Sequence, residues 1–343
     1  MFFKKEISSI FFGIKIICSV LILLTLLTLS IYTGFLHFNF TVLPSGDLLE
    51  INNEYDVTFL EESAKSKLVK YGFDLFQSTP KHIGRHIDRL DKRFSGNDLS
   101  CTNCHLLAGT KPFAASLVGV VNRFPQYRGR ENQMGSIQAR INGCMERSMN
   151  GSILPADSRE MTALVAYLEW IGRNAPKDGK VLGQGFMQIN LPNRAVDLEN
   201  GRAVYKRQCV LCHGSEGKGI KEANAKVYEY PPLWGPDSYN NGAGMSRVIT
   251  AAQFIKGNMP YGVTYETPIL SDEDAYDVAG YINQQKRPIK VNLEFDFPDL
   301  KLKPVSTPYP PYIDAFSITQ HQLGPFQPII AYYKQKFNLT KKK

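Results

Sequence analysis

Cys101-Thr102-Asn103-Cys104-His105 and Cys209-Val210-Leu211-Cys212-His213 are two copies of one spacing, C-x-x-C-H. In that spacing two thiols can add across the vinyl groups of a haem while the adjacent imidazole becomes the proximal ligand of its iron. Disulfide or zinc frameworks do not require a His directly after the second Cys, and here it follows both times. The motifs therefore predict two haems c, one bonded to Cys101 and Cys104 with axial His105, the other to Cys209 and Cys212 with axial His213.

A c-type haem also needs a sixth ligand or an open site. Met259 stands before Pro260 in a loop beyond the second motif, the usual position of a distal thioether, which raises the reduction potential. The first unit has no Met-Pro pair. Cys144 and Met149 both follow its motif at comparable distances, and spacing alone does not choose between thiolate and thioether. His82 and His86, four residues apart, read as a solvated helix face. Among the six cysteines, four belong to the motifs and Cys18 lies in an apolar run, so Cys144 is a leftover thiol.

Between residues 123 and 147 stand five arginines (Arg123, Arg128, Arg130, Arg140 and Arg147), opposed only by Glu131 and Glu146. The guanidinium fork fits an oxyanion in bidentate fashion, and positive charge favours the thiolate of a neighbouring cysteine. A reactive thiol at Cys144 in an arginine field points to redox chemistry on a sulfur oxyanion. Salt bridges or haem propionates account for two or three of the five.

The elements that must position these groups are helices. Periodicity predicts opening helices over Glu61–Phe76 and Asp197–Gln208, and closing helices over Ser158–Arg173 and Ser271–Gln284, the last capped by Ser271. Helix, haem loop, ligand loop, helix is the layout of a small cytochrome c domain. Asn174–Arg194, rich in Gly, Pro, Asn and Lys, reads as a linker, and the Pro- and Tyr-rich chain beyond Pro288 as an extended strap. Composition agrees with a globular protein: 43% hydrophobic, 21% charged, and 40 Lys plus Arg against 32 Asp plus Glu for a net +8. No dense basic helix interleaved with aromatics is present, which excludes nucleic acid as a partner.

Ile16–Leu36 is a run of 21 uncharged residues, roughly 31 Å long at about 1.5 Å per residue, the length of a bilayer core. It lacks a small-x-small cleavage site and exceeds the usual apolar region of a signal peptide. It is expected to be an uncleaved transmembrane anchor. Lys4, Lys5 and Lys15 before or at its start put the N-terminus in the cytoplasm and the rest on the periplasmic side of a bacterial inner membrane. The expected fold class is mainly α, with two tandem cytochrome c domains, an N-terminal transmembrane helix and a C-terminal strap. The boundaries are anchor 1–40, first domain 41–178, second domain 179–290 and extension 291–343.

The run from Leu99 to Pro112, then Phe124-Pro125-Gln126-Tyr127-Arg128-Gly129-Arg130, then Arg140-Ile141-Asn142-Gly143-Cys144 on to Ser148 and Pro155, resembles the dihaem thiosulfate dehydrogenase and tetrathionate reductase family. So do Asn258-Met259 and the tail Gln320-His321-Gln322-Leu323-Gly324-Pro325-Phe326. The likeness spans residues 60 to 330. It implies that Cys144, rather than Met149, is the distal ligand of the first haem and the catalytic sulfur, with Met259 on the second. It implies oxidation of two thiosulfate to tetrathionate, reversible in principle, with Arg130, Arg140 and Ser148 holding substrate oxygens. Electrons would leave through the second haem to a soluble cytochrome c or similar carrier. Some members carry Lys before the distal Met and swap ligands on reduction; this chain has Asn258 there. The anchor is a further departure, since the family is often soluble. Two other readings are a dihaem electron carrier without its own substrate, and an enzyme acting on carrier-bound thiosulfate.

Overall fold

The computed structural model describes residues 15, 17–23, 25, 55–222 and 227–341. The chain divides into Met1–Glu50 and Ile51–Lys343. Within Met1–Glu50, residues 15, 17–23 and 25 are helical and exposed. Most of the apolar run expected to be an anchor lies outside the described residues. Among those described, no helix is long and apolar enough to cross a membrane. A span needs about 20 apolar residues in one helix, and the described helical residues fall well short. The expected transmembrane helix is therefore not supported, nor are the inner-membrane anchoring and periplasmic-side localisation that rested on it.

The stretch Ile51–Lys343 is helical and holds two hydrophobic cores, one in a first haem-motif unit around Cys101 and one in a second unit around Cys209. Helix α1 (Ala64–Gln77) starts at Ser63, whose hydroxyl accepts from Ser66 N, and is followed by the short α2 (Thr79–Ile83). After the first haem motif come a small hairpin, β1 (Gln126–Arg128) with β2 (Gln133–Gly135), then α3 (Ile137–Arg147) and α4 (Arg159–Ile171). The hairpin is antiparallel, Tyr127 opposite Met134. Helix α4 is capped by Ser158, which accepts from Met161 N, and buries Met161, Leu164, Leu168 and Ile171. These side chains join Val69, Leu75 and Phe76 of α1 in the first core.

The second half repeats the plan. Asp197 caps α5 (Leu198–Gln208), α6 (Val210–His213) carries the second motif, and β3 (Ile220–Lys221) pairs with β4 (Tyr228–Tyr230). Then come α7 (Val248–Asn258) and α8 (Asp272–Gln284), the latter capped by Ser271. Their core contains Val204, Val248, Ile255, Tyr276 and Ile282. The chain beyond Pro288 is less extended than its composition suggests. It ends in α9 (Ile318–Leu323) and α10 (Gln327–Phe337), and Phe326, Ile329 and Tyr333 complete the second core. His321 pins this stretch: its Nδ1 lies 2.7 Å from Val305 O and its Nε2 2.9 Å from Asp314, with Tyr312 stacked at 3.6 Å.

Each half crosses its first and last helices at a glycine. A Cβ on Gly72 would stand 2.0 Å from Ala163 O, and one on Gly201 2.2 Å from Asp277 O. Backbone cannot yield at such distances without parting the helices. Gly201→Ala should therefore cost about 2 to 3 kcal/mol, read as a lowered thermal midpoint of the second half. An unchanged midpoint would mean that the crossing is looser than its geometry.

Candidate functional site

Cys101 opens a 3-10 turn and hydrogen-bonds through its N–H to Thr79 Oγ1, while Ser100 N–H donates to Asn103 Oδ1 at 2.8 Å. The turn delivers Cys101, Cys104 and His105 to one wall of an apolar cavity, walled elsewhere by Leu75, Phe76, Leu99, Val120, Ile137 and Leu164. His105 Nδ1 lies 2.7 Å from Ala115 O. A proton on Nδ1 shared with that carbonyl leaves Nε2 as the free lone pair, the arrangement expected of an iron-binding imidazole. Burial pushes the Cys101 and Cys104 thiols up, to about 11 and about 12.

The second motif is built alike. His213, 7% exposed, has Nδ1 2.8 Å from Pro231 O, and Leu233, Trp234 and Met259 pack with Cys209 on the second core. None of the six cysteines forms a disulfide. Paired thiols, a tautomer-fixed imidazole and apolar walls fit a haem c at each motif.

Helix α3 carries the chemistry of the first cavity. Ser136 caps it, accepting from Ala139 N, and Arg140 and Cys144 share one face four residues apart. Arg140 Nη1 donates to Cys144 Sγ at 3.2 Å. Burial alone would raise the Cys144 thiol, but Arg140, the imidazole of His105 and Arg128 outweigh it and bring it to about 6. Cys144 is thus a thiol outside the motifs whose surroundings favour the thiolate. It stands where the apolar cavity meets a wider cleft of about 1570 Å³.

The five arginines between residues 123 and 147 part into two sets. Arg128 grips Glu131 through Nε and Nη2 at 2.8 and 3.0 Å. Arg130 bonds Asp296 and Tyr309 and lies 5.0 Å over the Phe297 ring. Arg147 Nη2 reaches the other oxygen of Asp296 at 2.7 Å. Arg123 and Arg140 have no carboxylate partner among the described residues; Arg123 donates to Gly179 O. Arg130, Arg140, Cys144 and Ser148 all line the wide cleft, so the structure brings these sequence candidates together. His82 and His86 do not share a helix face, because α2 ends at Ile83. His82 packs edge-on against Tyr71, and His86 Nε2 accepts from Arg85.

Two residues of the cleft, and one that holds its arginines, were not legible as such. Asp296 holds Arg130 and Arg147 from far along the sequence. Arg247 and Thr250, at the start of α7, reach the same cleft from the second unit; a polar pair in an otherwise apolar run was the available signal. Asn258, just before Met259, is 1% exposed and donates to Phe113 O and Phe254 O, tying the ligand loop to the first unit.

A helical tandem with two such motifs, and an anion cleft opening beside the first, defines a dihaem c-type cytochrome. Residues 91–176 match the SoxA/TsdA cytochrome c domain, and residues 198–286 match cytochrome c. The chain carries two covalently bound haems c. It is 39% identical over 229 residues to thiosulfate dehydrogenase of Stutzerimonas stutzeri, a match covering 67% of this chain and 70% of that protein. It is 42% identical over 200 residues to thiosulfate dehydrogenase of Allochromatium vinosum, covering 57% and 72%. The solved thiosulfate dehydrogenase TsdBA of Marichromatium purpuratum, in its as-isolated form, superposes with a TM-score of 0.62 at 34% identity. That match covers 68% of this chain and 49% of that one. The chain belongs to the thiosulfate dehydrogenase family.

Proposed function

We propose that the chain oxidises two thiosulfate ions to tetrathionate at Cys144. The observation that carries this reading is the Cys144 sulfur itself, with a guanidinium at 3.2 Å, standing between the apolar cavity of the first motif and an arginine-lined cleft. Cys101, Cys104 and His105 would hold the first haem, with Cys144 on its distal side; Cys209, Cys212, His213 and Met259 would hold the second. When bound, each haem supplies a one-electron acceptor, so that the pair takes up the two electrons of one turnover.

Arg140, Arg130 and Ser148 orient the sulfonate end of the first thiosulfate, so that its sulfane sulfur meets Cys144 Sγ. An S–S bond forms between them and two electrons leave, giving a cysteine S-thiosulfonate with one negative charge. The sulfane sulfur of a second thiosulfate then attacks the outer sulfur of that adduct. The bond to Sγ breaks, the electron pair returns to Sγ as thiolate, and tetrathionate departs. Bringing a dianion up to this sulfur is the electrostatic difficulty. Two dianions about 5 Å apart repel by roughly 3 kcal/mol even in water, and more inside a protein. Guanidinium groups fixed in advance offset that repulsion without reorganising.

The same residues would run the reverse reaction, tetrathionate reduction. Leu211, between the second pair of cysteines, is 89% exposed, which brings the second haem site to the surface and suits electron transfer to a soluble cytochrome c or similar carrier. The test is an assay of the purified dihaem protein with thiosulfate and ferricyanide. One tetrathionate per two ferricyanide reduced is expected, with dye-linked tetrathionate reduction as the reverse. Absence of tetrathionate, in protein carrying both haems, would leave only an electron carrier.

A further inference from the structure

Tetrathionate carries two sulfonates, and so far only one end of it has a holder. The charges at the other side of the cleft come from the second unit. Arg247 occupies the cap position of α7 and lines the cleft with Cys144; its Nε donates to Gly244 O at 3.3 Å, and no carboxylate pairs with it among the described residues. Thr250, in the first turn of the same helix, also lines the cleft. It is 2% exposed and its Oγ1 has no hydrogen-bond partner. Arg128 Nη1 is a second buried donor in the cleft without a partner.

Helix α7 is 11 residues long and no side chain caps it. Its first N–H groups and the positive end of its dipole therefore add to the same field. A buried cation without a counter-charge is costly, and a buried hydroxyl without a partner likewise. An oxyanion satisfies all of them together. Burial, with Arg130 and Arg140 adding to it, pushes the Arg247 guanidinium down, to about 10, so the groups share one electrostatic environment.

Resting on the proposed reaction at Cys144, we infer that Arg247 and Thr250, with Arg128 Nη1, form a second anion subsite that takes the sulfonate of the incoming thiosulfate. This subsite sets the specificity of the second half-reaction, in which the incoming sulfane sulfur displaces Cys144 Sγ and no further oxidant is needed. One subsite beside Cys144 and a second at Arg247 and Thr250 would then grip the two ends of the product.

The test separates the half-reactions in the dihaem protein. Cys144 is loaded with thiosulfate in the presence of ferricyanide and the adduct is read by intact mass. Excess thiosulfate is then added, and loss of the adduct and appearance of tetrathionate are timed. In Arg247→Gln, loading should stay within about twofold of the parent, because that step belongs to Arg140 and Cys144. Release should slow about tenfold to a hundredfold, the effect of losing a charge-assisted hydrogen bond. Arg247→Lys should recover part of the rate, and Thr250→Val should raise the thiosulfate concentration for half-maximal release. Release at the parental rate in Arg247→Gln, or an equal fall in loading and release, would overturn the subsite. A parent protein that never loads would instead remove the Cys144 reaction, and the subsite with it.

Discussion

Cys144→Ala is expected to lose at least about a thousandfold in thiosulfate oxidation while keeping both haems attached. In the proposed reaction its sulfur bonds substrate, and nothing else in the cleft can replace it. Arg140 donates to it, and His105 lines the same cavity. Haem attachment draws on other cysteines, so the covalent haem content, read from denatured pyridine spectra, should not change. Cys144→Met would separate ligation from nucleophilicity: a thioether can bind iron but cannot form the adduct. It too should be inactive. Retention of a tenth or more of the activity in either variant would contradict the covalent step.

Asp296→Asn is expected to cost about 3 to 5 kcal/mol of stability, the largest effect outside the reacting groups. Asp296 is 6% exposed and neutralises both Arg130 and Arg147, while Tyr309 donates to it at 2.7 Å. The amide keeps its shape and removes the charge, leaving two nearly buried guanidiniums facing one another's field. Burial would raise the Asp296 carboxyl, but Arg130 and Arg147 outweigh it and hold it below the usual carboxylate range. A lowered folded value means that this stabilisation is fully present above the unfolded pKa, about 3.9, and is lost as pH falls through the folded one. The parent should therefore lose stability on acidification below about pH 4 more steeply than Asp296→Asn. Urea unfolding of both proteins across that range measures the difference, and parallel curves would show that the carboxylate is not the counter-charge.

The haem attachment residues were legible because covalent attachment confines them to five consecutive positions. The closing helices α4 and α8 were legible for a different reason: each has apolar residues at helical spacing, and Ser271 was readable as the cap of the second. Helix α3 was not read as a helix. Arg140, Cys144 and Arg147 line the cleft while Ile137 and Met145 enter the core, so its inner face is not uniformly apolar. Helix α7 hides for the opposite reason, since Val248 to Ile255 is buried on every side and shows no period. The pairing of arginines was out of reach. Asp296 meets Arg130 and Arg147 only because the chain beyond Pro288 returns over the first unit, and sequence distance conceals such contacts. The apolar N-terminal run misled in another way, because length and composition alone stood in for a helix.

Low-temperature electron paramagnetic resonance of the ferric protein tests the place of Cys144 most directly. Expected is a low-spin centre of thiolate-bound haem that disappears in Cys144→Ala, beside a second centre that does not change. Two haems per chain with no thiolate signature, or one that survives the substitution, would contradict a sulfur at residue 144 joined to the reacting centre.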